Sequence, residues 1–175
     1  NISQEKLENC INSDLANNYG NLCQRVISFN EKNLELKIPE KYDLKDDDRK
    51  ILKVYENTFD KLVDSIDKQN VNFYVNFIQE QLFAANKYFN DQEPWKKKED
   101  LIRLNTILYV SLELIRKISI MLYPIIPSSS LKALKIFNIT EDIIDFNSIK
   151  HHEILKSNDK LNKISILFKK IENHD

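Results

Sequence analysis

Glycine occurs once and proline four times in the 175 residues. So little glycine leaves almost no material for tight turns, bulges or phosphate-cradling loops, which excludes a Rossmann or P-loop nucleotide site and favours long helices. Cysteine is nearly absent too. Cys10 and Cys23 sit on what reads as one helix, with no CxxC and no third ligand, so neither a zinc site nor a disulfide framework is indicated and reduced thiols are expected. No apolar run approaches the roughly 20 residues that span a bilayer. The polar start "NISQEK" is no signal peptide, and a cytoplasmic protein without membrane contact is expected. Charge of one sign is missing as well: 26 basic residues face 27 acidic ones. A neutral total is compatible with a local basic stripe, so RNA binding is neither announced nor excluded. The chain opens on Asn1 rather than Met, as a piece of a longer chain would.

What is present is helical periodicity. At 42% apolar and 30% charged residues the composition is that of a globular domain, and the length suits one domain with a short appended segment. Leu7, Ile11, Leu15, Leu22, Val26 and Phe29 recur at three- and four-residue steps and predict a helix over 6–29. The polar stretch "NEKNLELKIPEKYD" is expected to interrupt it, with Pro39 as breaker. A second helix is predicted over 45–66, carrying Ile51, Leu52, Tyr55, Phe59 and Leu62, and a third over 70–89, with Val71, Val75, Ile78, Leu82, Ala85 and Phe89 as its seam. A fourth, over 98–122, is apolar on several faces and should be the most buried. Pro124 ends it, and Pro127 suits the first turn of a fifth helix reaching about 137. The expected fold is all-α, an antiparallel bundle of about five helices over 1–137, with 138–175 as a C-terminal segment packing back on it through "EDIIDF" and "ISILFKKIE".

Two features stand apart from the core pattern. Asp14, Asn18, Asn21, Arg25 and Ser28 step by four, three, four and three, a polar stripe opposite the apolar one on the first helix. Asn21 and Arg25, four apart, project side by side, and an amide beside a guanidinium can match the Watson–Crick edge of an unpaired base, best a cytosine. Periodicity alone fits a plain solvated face better. The single tryptophan, Trp95, lies in the charged loop "NDQEPWKKKED", where an aromatic ring can serve as a stacking platform for a base and Lys96, Lys97 and Lys98 can meet phosphates. Taken alone, a half-buried loop anchor accounts for that ring better.

No catalytic grouping emerges. His151 and His152 are adjacent and so diverge, and His174 lies near the end, too few ligands on one face for a metal. Asp46, Asp47 and Asp48 read as a helix start, where negative charge meets the positive end of the dipole. No Ser, His and Asp or Cys and His spacing argues for a nucleophile.

Four segments, in order along nearly the whole chain, carry a family resemblance. "SDLANNYGNLCQRV" (13–26) resembles the helix that opens the anticodon-binding domain of methionyl-tRNA synthetases, with its D-L-x-N followed by G/V-N-L-x-x-R. "NKYFNDQEPW" (86–95) is similar to that family's N-x-Y-x-x-x-x-x-P-W stretch, "MLYPIIPSSSLKAL" to its helix end with two prolines, and "SILFKKIE" to its closing P-L-F-P-R-I-E. Lys96 and Lys97 depart from the family's apolar residue soon after the tryptophan, and Ser165, Lys169 and Lys170 depart from its closing prolines and arginine.

The resemblance implies that Asn21 and Arg25 contact the first anticodon base, the cytosine of CAU, and that Trp95 stacks on an anticodon base with Pro94 shaping the loop. It implies tRNA(Met), through its anticodon stem-loop, as partner, and no DNA. It further implies an N-terminal catalytic domain that uses ATP with Mg to make methionyl-adenylate. Nothing in this chain resembles that domain's HIGH-type or KMSKS-type signatures or its zinc knuckle, so the chain itself is expected to be non-catalytic and free of cofactor. The competing readings are the equivalent domain of a sister class I synthetase for valine, isoleucine, leucine or cysteine, and a helical interaction bundle with no RNA role.

Overall fold

The computed structural model describes residues 13–163. Four 22-residue helices, α1 (Ser13–Leu34), α2 (Asp46–Asp67), α3 (Val71–Gln92) and α4 (Leu101–Leu122), precede the short α5 (Pro127–Leu134). The four long helices run up, down, up and down, with α3 and α4 packed on each other and each on both α1 and α2. Among the described residues there is no strand, only an isolated bridge between Lys37 and Lys160. The all-α antiparallel bundle expected from periodicity is the fold observed.

α4 is the central element. From Thr106 to Leu122 every residue is buried, because helices surround it and an all-round apolar surface has nowhere else to go. Its apolar side chains meet Leu15, Tyr19, Leu22 and Val26 of α1, Leu52, Tyr55 and Leu62 of α2, and Val75, Ile78, Leu82 and Phe89 of α3 in one continuous core.

Boundaries differ from the periodicity for identifiable reasons. α1 runs on through "NEKNL" to Leu34, since Glu31 and Lys32 are good helix formers and the buried Asn30 amide donates to Lys37 O at 2.9 Å. The break comes at Glu35 and Leu36, both with positive φ, and not at Pro39. α4 starts at Leu101 because the Asp100 side chain accepts from Arg103 N at 3.1 Å as its N-cap. The fifth helix tightens after Leu134 into a 3-10 turn at Lys135–Phe137, closed by Asn138 in the left-handed region. With one glycine in the chain, such turns fall to other residues: Glu35, Leu36, Gln69, Glu93, Asn138 and Asn158 all take positive φ.

The stretch 138–163 crosses the bundle in 3-10 turns at Glu141–Ile143 and Phe146–Lys150. Its buried anchors are Ile149, Leu155 and Leu161, whereas Ile143 of "EDIIDF" is exposed. "ISILFKKIE" lies wholly outside the described residues, as do Cys10, Leu7 and Ile11. Ionisable side chains buried on α4 hold this stretch. Glu113 pairs with Arg116 at 2.8 Å and accepts from Ile154 N and Leu155 N at 3.1 and 2.8 Å. Arg116 donates to Ser148 Oγ, Ser148 O and His151 O, and Lys117 donates to Ile149 O and His151 O, both at 2.6 Å. Lys117 Nζ also lies 3.2 Å from His152 Nδ1, and His152 Nε2 lies 3.0 Å from Glu56. Irregular backbone at a core surface has carbonyls and amides with no ladder to join, and these side chains satisfy them.

Candidate functional site

At the end of the bundle where α3 stops, Glu93 takes φ 49° and turns the chain sharply. Pro94, buried, opens the 3-10 turn Pro94–Lys96, a position that needs no N–H and suits its fixed φ. This turn carries Trp95, which is 43% exposed and meets the edge of Phe89 with ring centroids 6.1 Å apart. The ring is therefore packed in part against Phe89 and open in part to solvent.

The loop is held from behind by a buried carboxylate. Asp48, the third residue of α2, accepts from Lys45 N at 2.9 Å, as a residue at this position of a capping box does. It goes further than closing a helix start. Its carboxylate is fully buried, takes both Nη1 and Nη2 of Arg103 at 2.7 and 3.0 Å, and accepts from the Tyr88 hydroxyl at 2.6 Å. Burial works to raise the Asp48 carboxyl, and the bonds from Arg103, Tyr88 and Lys45 N outweigh it and hold it below its ordinary value. Arg103 Nη2 also donates to Gln92 Oε1 at 2.7 Å, which ties α4 and α2 to the last residue of α3. Tyr88 in the "NKYFNDQEPW" stretch thus has a structural role in seating the Trp95 turn.

α1 brings the second half of the site. Its apolar face is buried through Leu15, Tyr19, Leu22, Cys23 and Val26, which turns Asp14, Asn18, Asn21 and Ser28 outward and leaves Arg25 half-buried at the α3 boundary. Arg25 Cζ sits 5.1 Å over the Phe89 ring. Its Nη2 donates to Asn90 Oδ1 and its Nη1, at a longer 3.4 Å, to Asn86 Oδ1. The Asn86 amide is itself fixed by donating to Leu82 O at 3.1 Å and to Asn18 O at 3.4 Å. Phe29 closes the same aromatic group edge-on against Phe89.

The structure therefore brings Arg25 and Trp95 to one patch, through a shared Phe89, and places Asn21 one turn back from Arg25 on the exposed face of α1. The lysines separate. Lys96 pairs with Glu93 at 3.0 Å, Lys97 donates to Gln92 O at 3.0 Å, and the exposed Lys98 makes no hydrogen bond or ion pair with the described residues. Sequence reasoning missed Phe89, Asn86 and Asn90 as members of the patch. Asn86 and Asn90, four apart on one helix face just before the turn, were the available signal.

Among the described residues no group of three His, Cys, Asp or Glu is placed to hold a metal, and no helix is long and apolar enough to cross a membrane. Chemically the patch offers a guanidinium, amides of both donor and acceptor character and one open indole. These are groups for recognition.

The described residues thus form an all-α bundle with a polar, aromatic-edged patch at one end. Residues 38–175 match the family model described as the anticodon binding domain of methionyl tRNA ligase, and the chain belongs to that family. It is 36% identical over 148 residues to a methionine–tRNA ligase of Brucella suis, an alignment covering 84% of this chain and 29% of that one. It is 32% identical over 174 residues to the methionine–tRNA ligase of Caldanaerobacter subterraneus, covering 98% of this chain, α1 included, and 27% of the relative. The solved apo methionyl-tRNA synthetase of Mycobacterium tuberculosis superposes with a TM-score of 0.82 at 29% identity, covering 95% of this chain and 34% of that one. The chain spans between a quarter and a third of the length of these curated relatives.

Proposed function

We propose that this chain is the anticodon-reading part of a methionine–tRNA ligase, and that the patch formed by Asn21, Arg25 and Trp95 selects the CAU anticodon of tRNA(Met). The observation that carries this reading is the position of Phe89, which supports the Arg25 guanidinium on its face and the Trp95 ring at its edge. A base stacked on Trp95 has its polar edge within reach of a fixed guanidinium.

The selection follows from donor and acceptor inventory. Cytosine offers an amino donor beside two acceptors. Arg25 has five N–H donors, two of them engaged with Asn86 and Asn90, and Asn21 supplies an acceptor and two donors one turn away. A base with the reverse pattern leaves these groups unpaired, a discrimination of roughly 1–3 kcal/mol for each well-made contact pair. Stacking on Trp95 contributes about 1–3 kcal/mol and is indifferent to base identity. Pro94 shapes the turn, and Lys98 is the residue best placed for phosphate, since Lys96 and Lys97 are engaged within the loop.

In the intact enzyme, a catalytic domain upstream would use ATP, with Mg, to activate methionine in the cytoplasm, and this bundle would supply selection of the tRNA. The reading is tested by Trp95 fluorescence, which reports one site because the chain has one tryptophan. A CAU anticodon stem-loop should quench it in a salt-sensitive way and a stem-loop with a different first base should not. Arg25→Ala and Trp95→Ala should each weaken CAU binding at unchanged helicity. If CAU binding survives both substitutions, the site assignment is wrong.

A further inference from the structure

Phe83 is 70% exposed, more than any other large apolar side chain among the described residues. It lies on α3 three residues before Asn86 and seven before Asn90, hence on the face that carries the two amides holding Arg25. Seven residues are about 10 Å of helix, so the ring lies about two turns along α3 from the Asn90 contact with Arg25. The same face continues past Phe83 with Gln79 and the exposed Asn76. Glu80 and Lys87, also exposed, flank the ring one turn to either side with opposite charge, and Lys87 pairs with Asp91. The strip is therefore amide-rich, close to neutral and furnished with one bare ring.

That combination suits a nucleobase better than a protein surface. Protein interfaces centre on contiguous apolar patches, and Phe83 is ringed on this face by amides and charges. An unpaired base asks for a stacking ring with donors and acceptors beside it. The strip is also continuous with the Arg25 and Trp95 patch through Asn86 and Asn90.

We propose that Phe83 is a second stacking platform, which takes another unpaired base of the same loop whose first base lies on Trp95. It rests on the reading of the Trp95 patch as an RNA site, and it extends that site along α3 by two turns. Because the strip is close to neutral, its contribution is stacking and not phosphate attraction.

The test is binding of the 175-residue chain to the CAU stem-loop, followed by Trp95 quenching, and to versions with one loop base at a time removed to leave an abasic sugar. Phe83→Ala should weaken CAU binding roughly 5- to 150-fold, the range for loss of one stacked base. Phe83→Tyr, which keeps the ring, should restore it, and the salt dependence should be unchanged. Against one of the abasic stem-loops, Phe83→Ala should have no further effect, which identifies the base that stacks there. The exposed position makes misfolding of the variant an unconvincing cause, and circular dichroism checks it. If the wild type binds CAU and Phe83→Ala binds equally well, the second platform is overturned while the first reading stands. A change in sedimentation with no change in RNA binding would assign the ring to a protein contact and overturn it likewise. If the wild type binds no CAU stem-loop, both readings fail together.

Discussion

Asp48→Ala is the perturbation that isolates how the Trp95 turn is held. The carboxylate is fully buried, and its removal strands Arg103, whose side chain is 15% exposed, together with the buried Tyr88 hydroxyl. Breaking a buried pair by deleting one partner costs about 3–5 kcal/mol. Arg103 keeps its bond to Gln92 and some water access, which favours the low end, near 3 kcal/mol. The orphaned Tyr88 hydroxyl adds about 1 kcal/mol, for a total near 4. With a urea dependence of about 2 kcal/mol per molar, the unfolding midpoint should fall by about 2 M. Circular dichroism follows the bundle and Trp95 emission follows the turn, so the two probes together show whether the turn loosens first.

The effect has a pH signature. Asp48 is depressed below 3.8 when folded, so below 3.8 the unfolded chain takes up a proton that the folded chain still refuses. The stabilisation is present above that value and is lost as pH falls through the folded value, so the gap between wild type and Asp48→Ala should narrow in acid. A loss under about 1 kcal/mol at neutral pH, or a gap indifferent to acid, would refute the account.

Two further outcomes are expected. Lys98→Ala should reduce the salt slope of RNA binding by about 0.7, the increment for one phosphate contact on a single strand, while Lys96→Ala should leave it unchanged because Glu93 already engages that ammonium. Equal effects from the two lysines would show that neither ion pairing nor position in the turn matters. Burial first, then the neighbouring Arg116, lowers Lys117 to about 7 against the opposing pull of Glu113 and Glu56. Between that value and 10.5 the unfolded chain binds a proton that the folded chain does not, so stability should rise from pH 7 to 9. Lys117→Met should abolish most of that rise in urea unfolding, and parallel slopes for the two proteins would contradict it.

Much of the fold was legible because helix formation is read locally. The apolar steps of α2, α3 and α4 and the proline at the start of α5 placed those elements within a few residues, and the all-round apolar character of α4 marked it as central. The ends of elements were less legible, since they turn on single side chains such as Asp100 at the N-cap and on residues accepting positive φ where glycine is missing. The stripe on α1 and the address of Trp95 in an exposed turn were also visible. Glu113, Arg116 and Lys117 could not be recognised as buried: Glu113 and Arg116 pair within α4, but the other groups that satisfy the three lie 32 or more residues away in backbone that has no periodicity.

What the sequence determined by itself is the set of helices and the faces each would bury, because the 3.6-residue repeat and the burial of apolar area act within one segment. What only the tertiary structure decided is which polar groups meet. Arg25 reaches Asn90 across 65 positions of sequence, and Asp48 reaches Arg103 across 55. Both meetings depend on how α1, α2, α3 and α4 pack. Periodicity carries no register between helices, so the patch exists only once the bundle has closed.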